Sequence, residues 1–91
     1  MYLVVSYDIS DDKRRNRIHK TLKNFGERIQ FSVFECDLTK EQFLRMQHTL
    51  KKLIKEEEHD SVRFYHLCDG CKAKIDRLGG IIPREDGPVV V

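Results

Sequence analysis

Residues 2–8 read YLVVSYD, and the fold follows from how this stretch differs from an ordinary surface strand. A strand with one wet face alternates apolar and polar side chains. Here Tyr2 to Tyr7 are apolar or β-favouring at nearly every position, which predicts a central strand covered on both faces and ending at Asp8. A strand of that kind needs partners, and the rest of the chain supplies them.

Downstream, Ser10 to Asp12 offer a helix N-cap with acid in the first turn, and Ile18, Leu22 and Phe25 recur at i, i+4 and i+7. The spacing predicts a helix from Asp11 to Phe25, with Gly26 placed to end it in a left-handed conformation. Residues 28–37, RIQFSVFECD, are rich in β-formers. They are long enough for one bent strand or for two short strands joined by a tight turn near Phe31 and Ser32, and the hairpin is the preferred reading. Thr39 and Gln42 form a capping-box pattern ahead of Phe43, Met46, Leu50, Leu53 and Ile54 at helical spacing, a second helix ending within Glu56 to His59. Residues 61–68, SVRFYHLC, form the last main strand.

The resulting order, βαββαβ, is that of an α+β, ferredoxin-like sandwich with both helices on one face of an antiparallel sheet. The opposite face is left partly apolar, with Val4, Phe34 and Tyr65 expected on it, so a homodimer is the natural way to cover it. At 91 residues the chain has room for one domain, 1–91, and a core this small gains from a partner subunit. After Asp69 the sequence is polar and Gly-rich through Gly80, then closes with IIPREDGPVVV. Val89 to Val91 read as a C-terminal edge strand, and residues 81–91 as a tail that docks on the partner subunit.

Hydrophobic content of 40% and charged content of 35% describe a globular protein with a highly charged exterior, and no apolar run is long enough to span a bilayer. The N-terminus lacks the features of a leader, so a cytoplasmic location with no membrane role is expected. A net charge of +2 does not by itself indicate nucleic-acid binding, but the charge is uneven. Residues 11–28 carry seven Lys or Arg against three Asp or Glu, a local excess of four positive charges.

Asp8 follows an apolar strand directly and precedes a helix, a position from which strand ends present groups to ligands. Its carboxylate either caps the following turn or binds a hard cation such as Mg²⁺ that contacts phosphate. One carboxylate per chain binds weakly, so the metal reading requires two copies related by a two-fold axis. On the first helix Arg14 and Arg15 lie beside the apolar stripe, while Lys13, Arg17, Lys20 and Lys23 point outward, as in many solvated helix faces. Arg15, Arg17 and Arg28 are nevertheless suited to fork onto phosphates near Asp8.

Cys68 and Cys71 form a CDGC motif. Structural zinc would need Cys36 and His66 to converge on it, or two chains to combine their motifs, and a redox role would need the motif to open a helix, which is not expected here. His19, His48, His59 and His66 show no metal-ligand spacing. There is no Ser/His/Asp order, no Gly-rich phosphate loop and no aromatic RNP1 pattern.

Three segments together carry a family likeness: YLVVSYDIS continuing through DDKRRNRIHKTLKNFGERIQFSVFECDLT, then SVRFYHLCDGC, then KIDRLGG. The chain resembles the CRISPR-associated protein two family, and the likeness covers nearly all of it. The resemblance implies a ferredoxin-like homodimer that holds duplex DNA and bridges two dimers of the CRISPR integrase subunit during spacer acquisition. It also implies, for some members, a metal-dependent endonuclease using Mg²⁺ or Mn²⁺ on single-stranded RNA or duplex DNA. On that basis Asp8 is the metal-linked carboxylate, and Arg15, Arg17, Arg28 and Phe34 match positions around the site. The strand near Val89 to Val91 is similar to the segment that crosses to the partner subunit and meets the integrase. A non-catalytic DNA-binding scaffold is the alternative role.

Overall fold

The computed structural model describes residues 1–80; the edge strand expected at Val89 to Val91 and the docking tail 81–91 lie outside them. Four strands, β1 (Tyr2–Asp8), β2 (Glu27–Gln30), β3 (Val33–Asp37) and β4 (Ser61–Leu67), form one sheet in the order β2-β3-β1-β4. Every pairing is antiparallel. Helices α1 (Asp12–Lys23) and α2 (Lys40–Leu53) connect the strands, and a short α3 (Asp69–Ala73) follows β4. This is the ferredoxin-like βαββαβ arrangement, with β1 central as its nearly continuous apolar and β-favouring run predicts. No helix among the described residues is long and apolar enough to cross a membrane.

The register of β1 sets the two faces. Leu3, Val5 and Tyr7 point to the helices and are buried with Ile18, Leu22, Met46 and Leu50. Tyr2, Val4, Ser6 and Asp8 occupy the open face. Val4 pairs with Tyr65 on one side and Glu35 on the other, and Tyr65 stays 48% exposed, so the open face carries part of the apolar surface expected of it. Phe34 does not belong there. It pairs with Val5, is fully buried, and packs on the helix side. Its facing is set by the β1–β3 register, which places it opposite the inward-pointing Val5, and one residue of slip would flip the strand's faces.

Both main helices begin as read. The Asp11 carboxylate accepts the Arg14 N–H at 2.9 Å, and Thr39 and Gln42 complete a reciprocal capping box at 3.1 and 2.8 Å. Their ends differ. Asn24 closes α1 in a right-handed conformation, and among the described glycines only Gly79 and Gly80 have positive φ. Gly26 is needed for a different reason: a Cβ there would lie 2.5 Å from Cys36 Sγ and closer still to the Glu35 carbonyl oxygen, so glycine lets this backbone pass against β3. α2 stops at Leu53 rather than within Glu56 to His59. Ile54 is extended, Glu56–Glu58 form a 3-10 turn, and His59 closes that turn in the left-handed region at φ 65°. The Asp60 side chain takes the Lys55 N–H at 2.9 Å, which stabilises the turn against continued helix.

Candidate nucleic-acid interface

Asp8 ends β1 opposite Ser61, exposed on the open face. The capping role considered for it falls instead to Asp11, and Asp8 makes no side-chain hydrogen bond or ion pair with the described residues. The next residue, Ile9, is buried and anchors the loop into α1. Arg15 reaches back over that loop, donating from Nη1 to the Ile9 and Ser10 carbonyls at 3.0 and 3.4 Å, while Nη2 pairs with Asp12. One turn of helix thus holds the segment leaving Asp8.

Beside this loop, α1 and the β2–β3 turn enclose a cleft of about 180 Å³ lined by Tyr7, Arg15, Asn16, His19, Arg28, Phe31 and Ser32. The Tyr7 N–H donates to the Ser32 carbonyl at 3.1 Å, tying β1 to the turn. Tyr7 Oη and His19 Nδ1 lie 3.4 Å apart. Burial raises the Tyr7 phenol above its ordinary value. Burial first, then the charges of Lys23 and Arg28, hold His19 below its ordinary value, so His19 is neutral near pH 7. The positive charge in the cleft therefore comes from Arg28 and from Arg15, whose charge the Asp12 carboxylate partly offsets.

Of the residues singled out from the sequence, the structure brings Arg15 and Arg28 together in one cleft, whereas Asp8, the residue after the cleft's Tyr7, lies on the open face. Arg17 is exposed and does not line the cleft. Phe34 lies beneath it: its ring meets the His19 ring edge-on at 5.3 Å and the Tyr7 ring at 6.4 Å. Its place in the core lets it support the cleft from below but not touch a substrate. Tyr7, Asn16, His19 and Phe31 went unrecognised as cleft residues. His19, four residues after Arg15 on α1, was the available signal.

Sequence reading also missed the pair that positions this end of the sheet. Arg14 is 7% exposed and donates from Nε and Nη2 to the two Asp60 carboxylate oxygens at 2.7 and 3.0 Å, with a further contact to Glu58 at 3.1 Å. The Arg14 hydrogen bond holds the Asp60 carboxyl below its usual range. The fork fixes α1 to the residue that precedes β4, and hence to Ser61 opposite Asp8.

Among the described residues, no group of three or more His, Cys, Asp or Glu side chains could hold a metal ion. A hard cation fits Asp8 as one oxygen donor, and a full site needs donors from outside this chain's described residues. The single-chain zinc arrangement does not form among them either. Cys36 is buried in the core, where desolvation pushes its thiol up to about 12, while Cys68 and Cys71 are exposed.

Fold and site define a small ferredoxin-like α+β protein with an exposed strand-end carboxylate on its open face and a cleft lined by two arginines on its helix side. Residues 1–75 match the family model described as "CRISPR associated protein Cas2", and the chain belongs to that family. It is 44% identical over 85 residues to "CRISPR-associated endoribonuclease Cas2 1" of Chloroflexus aurantiacus, covering 93% of this chain and 91% of that one. Among solved structures it is similar to the hypothetical protein TT1823 from Thermus thermophilus, with TM-score 0.79 and 33% identity over 91% of this chain and 96% of that one. It is also similar to Streptococcus pyogenes Cas2 solved at pH 6.5, with TM-score 0.75 and 34% identity over 87% of this chain and 100% of that one.

Proposed function

We propose that this chain is a CRISPR spacer-acquisition subunit that acts in the cytoplasm as a homodimer, binds duplex DNA and bridges dimers of the CRISPR integrase subunit. The observation that carries this reading is the placement of Arg15 and Arg28 in one cleft on the helix side, at the same end of the sheet where Asp8 stands exposed at the end of β1. Two such clefts in a dimer grip phosphates without reading bases, which suits a subunit that must accept spacers of any sequence. The partly apolar open face around Val4 and Tyr65 supports pairing of two copies, and that face also carries Asp8.

The same geometry supports phosphodiester hydrolysis on RNA or DNA. Asp8 from each copy would hold Mg²⁺ or Mn²⁺, which when bound supplies charge neutralisation and a more acidic water. Arg15 and Arg28 would hold non-bridging phosphate oxygens, and Arg17 would add charge on the outer face of α1. Tyr7 and His19, 3.4 Å apart, line the same cleft. The name of the Chloroflexus relative, an endoribonuclease, supports single-stranded RNA as the first substrate to test.

A purely architectural role is the second reading. It is favoured by the single Asp8 carboxylate that each chain offers without further metal donors among the described residues. Wild type and Asp8→Asn, compared for Mg²⁺-dependent cleavage of single-stranded RNA and duplex DNA and for spacer insertion with the cognate integrase, decide between them. Cleavage lost with insertion intact supports both activities. The absence of cleavage in wild type leaves the scaffold, and the absence of duplex binding by wild type defeats the proposal.

A further inference from the structure

The CDGC motif takes no part in the phosphate site. The cleft and Asp8 lie at the Ser61 end of β4, while Cys68 follows Leu67 at the other end, about 20 Å away at the usual rise per strand residue. Contrary to the expectation from sequence, the motif opens a helix. Cys68 is the N-cap of α3, and its Sγ accepts the Cys71 N–H at 3.3 Å, so both thiols are held on one turn. Both are exposed, and a Cβ on the intervening Gly70 would approach nothing but Cys68 Sγ, at 3.9 Å, so small reagents have access. Cys36, the third cysteine, is 1% exposed.

We infer that Cys68 and Cys71 form a dithiol that exchanges with low-molecular-weight disulfides of the glutathione class and closes to an intramolecular disulfide. The Cys68 thiolate attacks one sulfur of the small disulfide, breaking its S–S bond and expelling one thiolate. Cys71 then gives up its proton and attacks the Cys68 sulfur of the mixed disulfide, expelling the second small thiolate. Two protein thiols are oxidised to one S–S bond, and the small disulfide is reduced to two thiols. The order of attack follows from the local contacts. The Cys71 N–H holds the Cys68 thiol below its ordinary value, and the hydrogen bond to Cys68 holds Cys71 above its own. Lys72, between Cys71 and Ala73, lays its ammonium over the Tyr2 ring at 4.4 Å, so closing the pair stiffens a helix already pinned to the start of β1.

The test is equilibration of the full chain in glutathione buffers of increasing oxidised fraction, followed by acid quench, denaturing alkylation and mass spectrometry. The expected result is loss of two of the three alkylatable thiols, a single peptide lighter by two hydrogens joining residues 68 and 71, and full recovery with dithiothreitol. Under limiting oxidised glutathione, Cys71→Ser should accumulate the mixed disulfide on Cys68 faster than Cys68→Ser does on Cys71. Retention of all three thiols in the most oxidising buffer overturns the inference. So does a disulfide between copies in place of the internal one, or faster capture at Cys71.

Discussion

Phe34 lies under the cleft, and its replacement by leucine separates support from contact. The ring is fully buried and meets His19 and Tyr7 from below. Phe→Ala in a core costs about 3–5 kcal/mol, and leucine keeps much of the volume, so Phe34→Leu should cost about 1–2 kcal/mol. For a domain of this size each kcal/mol lowers Tm by roughly 4–8 °C, giving a drop of about 5–15 °C. Affinity for duplex DNA, measured well below the new Tm by fluorescence anisotropy, should stay within about twofold of wild type, because no phosphate contact is lost. Arg28→Gln should do the reverse, lowering affinity while changing stability by no more than about 0.5 kcal/mol. Calorimetry and anisotropy on the two variants form a double dissociation. If Phe34→Leu keeps the wild-type Tm but loses binding, Phe34 touches the nucleic acid and its placement in the core is wrong.

Three further outcomes follow from the geometry. Gly26→Ala should lower stability by about 1–3 kcal/mol in urea unfolding, because the added methyl meets the Glu35 carbonyl and Cys36 Sγ rather than open space. Asp60→Asn should cost about 1–3 kcal/mol near pH 7 by leaving Arg14 underpaired. Because Arg14 depresses the Asp60 pKa in the folded state, its contribution is present above the unfolded carboxylate value of about 4 and is lost as pH falls through the folded one, so the variant's acid limb in pH-dependent unfolding should be flatter. Finally, duplex binding should weaken linearly with log salt, and Arg28→Gln should reduce that slope by roughly one while weakening different sequences alike.

The elements were legible in the sequence because each has a local cause. Tyr2 to Tyr7 lack alternation, Thr39 and Gln42 cap α2 reciprocally, and Phe31–Ser32 sit where the hairpin turns. Side-chain facing was less legible. Phe34 went to the wrong face because parity across β3 depends on its register with β1, which is not local. Arg14 was correctly placed beside the apolar stripe, but its partner Asp60 is 46 residues away and no spacing rule links them. The candidate site was half legible: Asp8, Arg15 and Arg28 follow from charge and strand-end position, whereas Tyr7, His19 and Phe31 join the two arginines in the cleft only once the hairpin folds against α1. The short α3 was missed because a five-residue helix offers too few turns for a periodic pattern.

The sheet order also dictates when the protein can fold as it is made. β1 leaves the ribosome first, yet one of its two neighbours is β4, so Tyr2 waits for Leu67. At about 5–20 residues per second, translation keeps that edge of the most apolar strand unpaired for roughly 3–13 s. During that interval the hairpin, α1 and α2 can cover its helix-side face but not its free edge, and the last strand synthesised closes the sheet. A stall between α2 and β4 would leave the β4-side edge of β1 without its hydrogen-bonding partner for as long as the stall lasts.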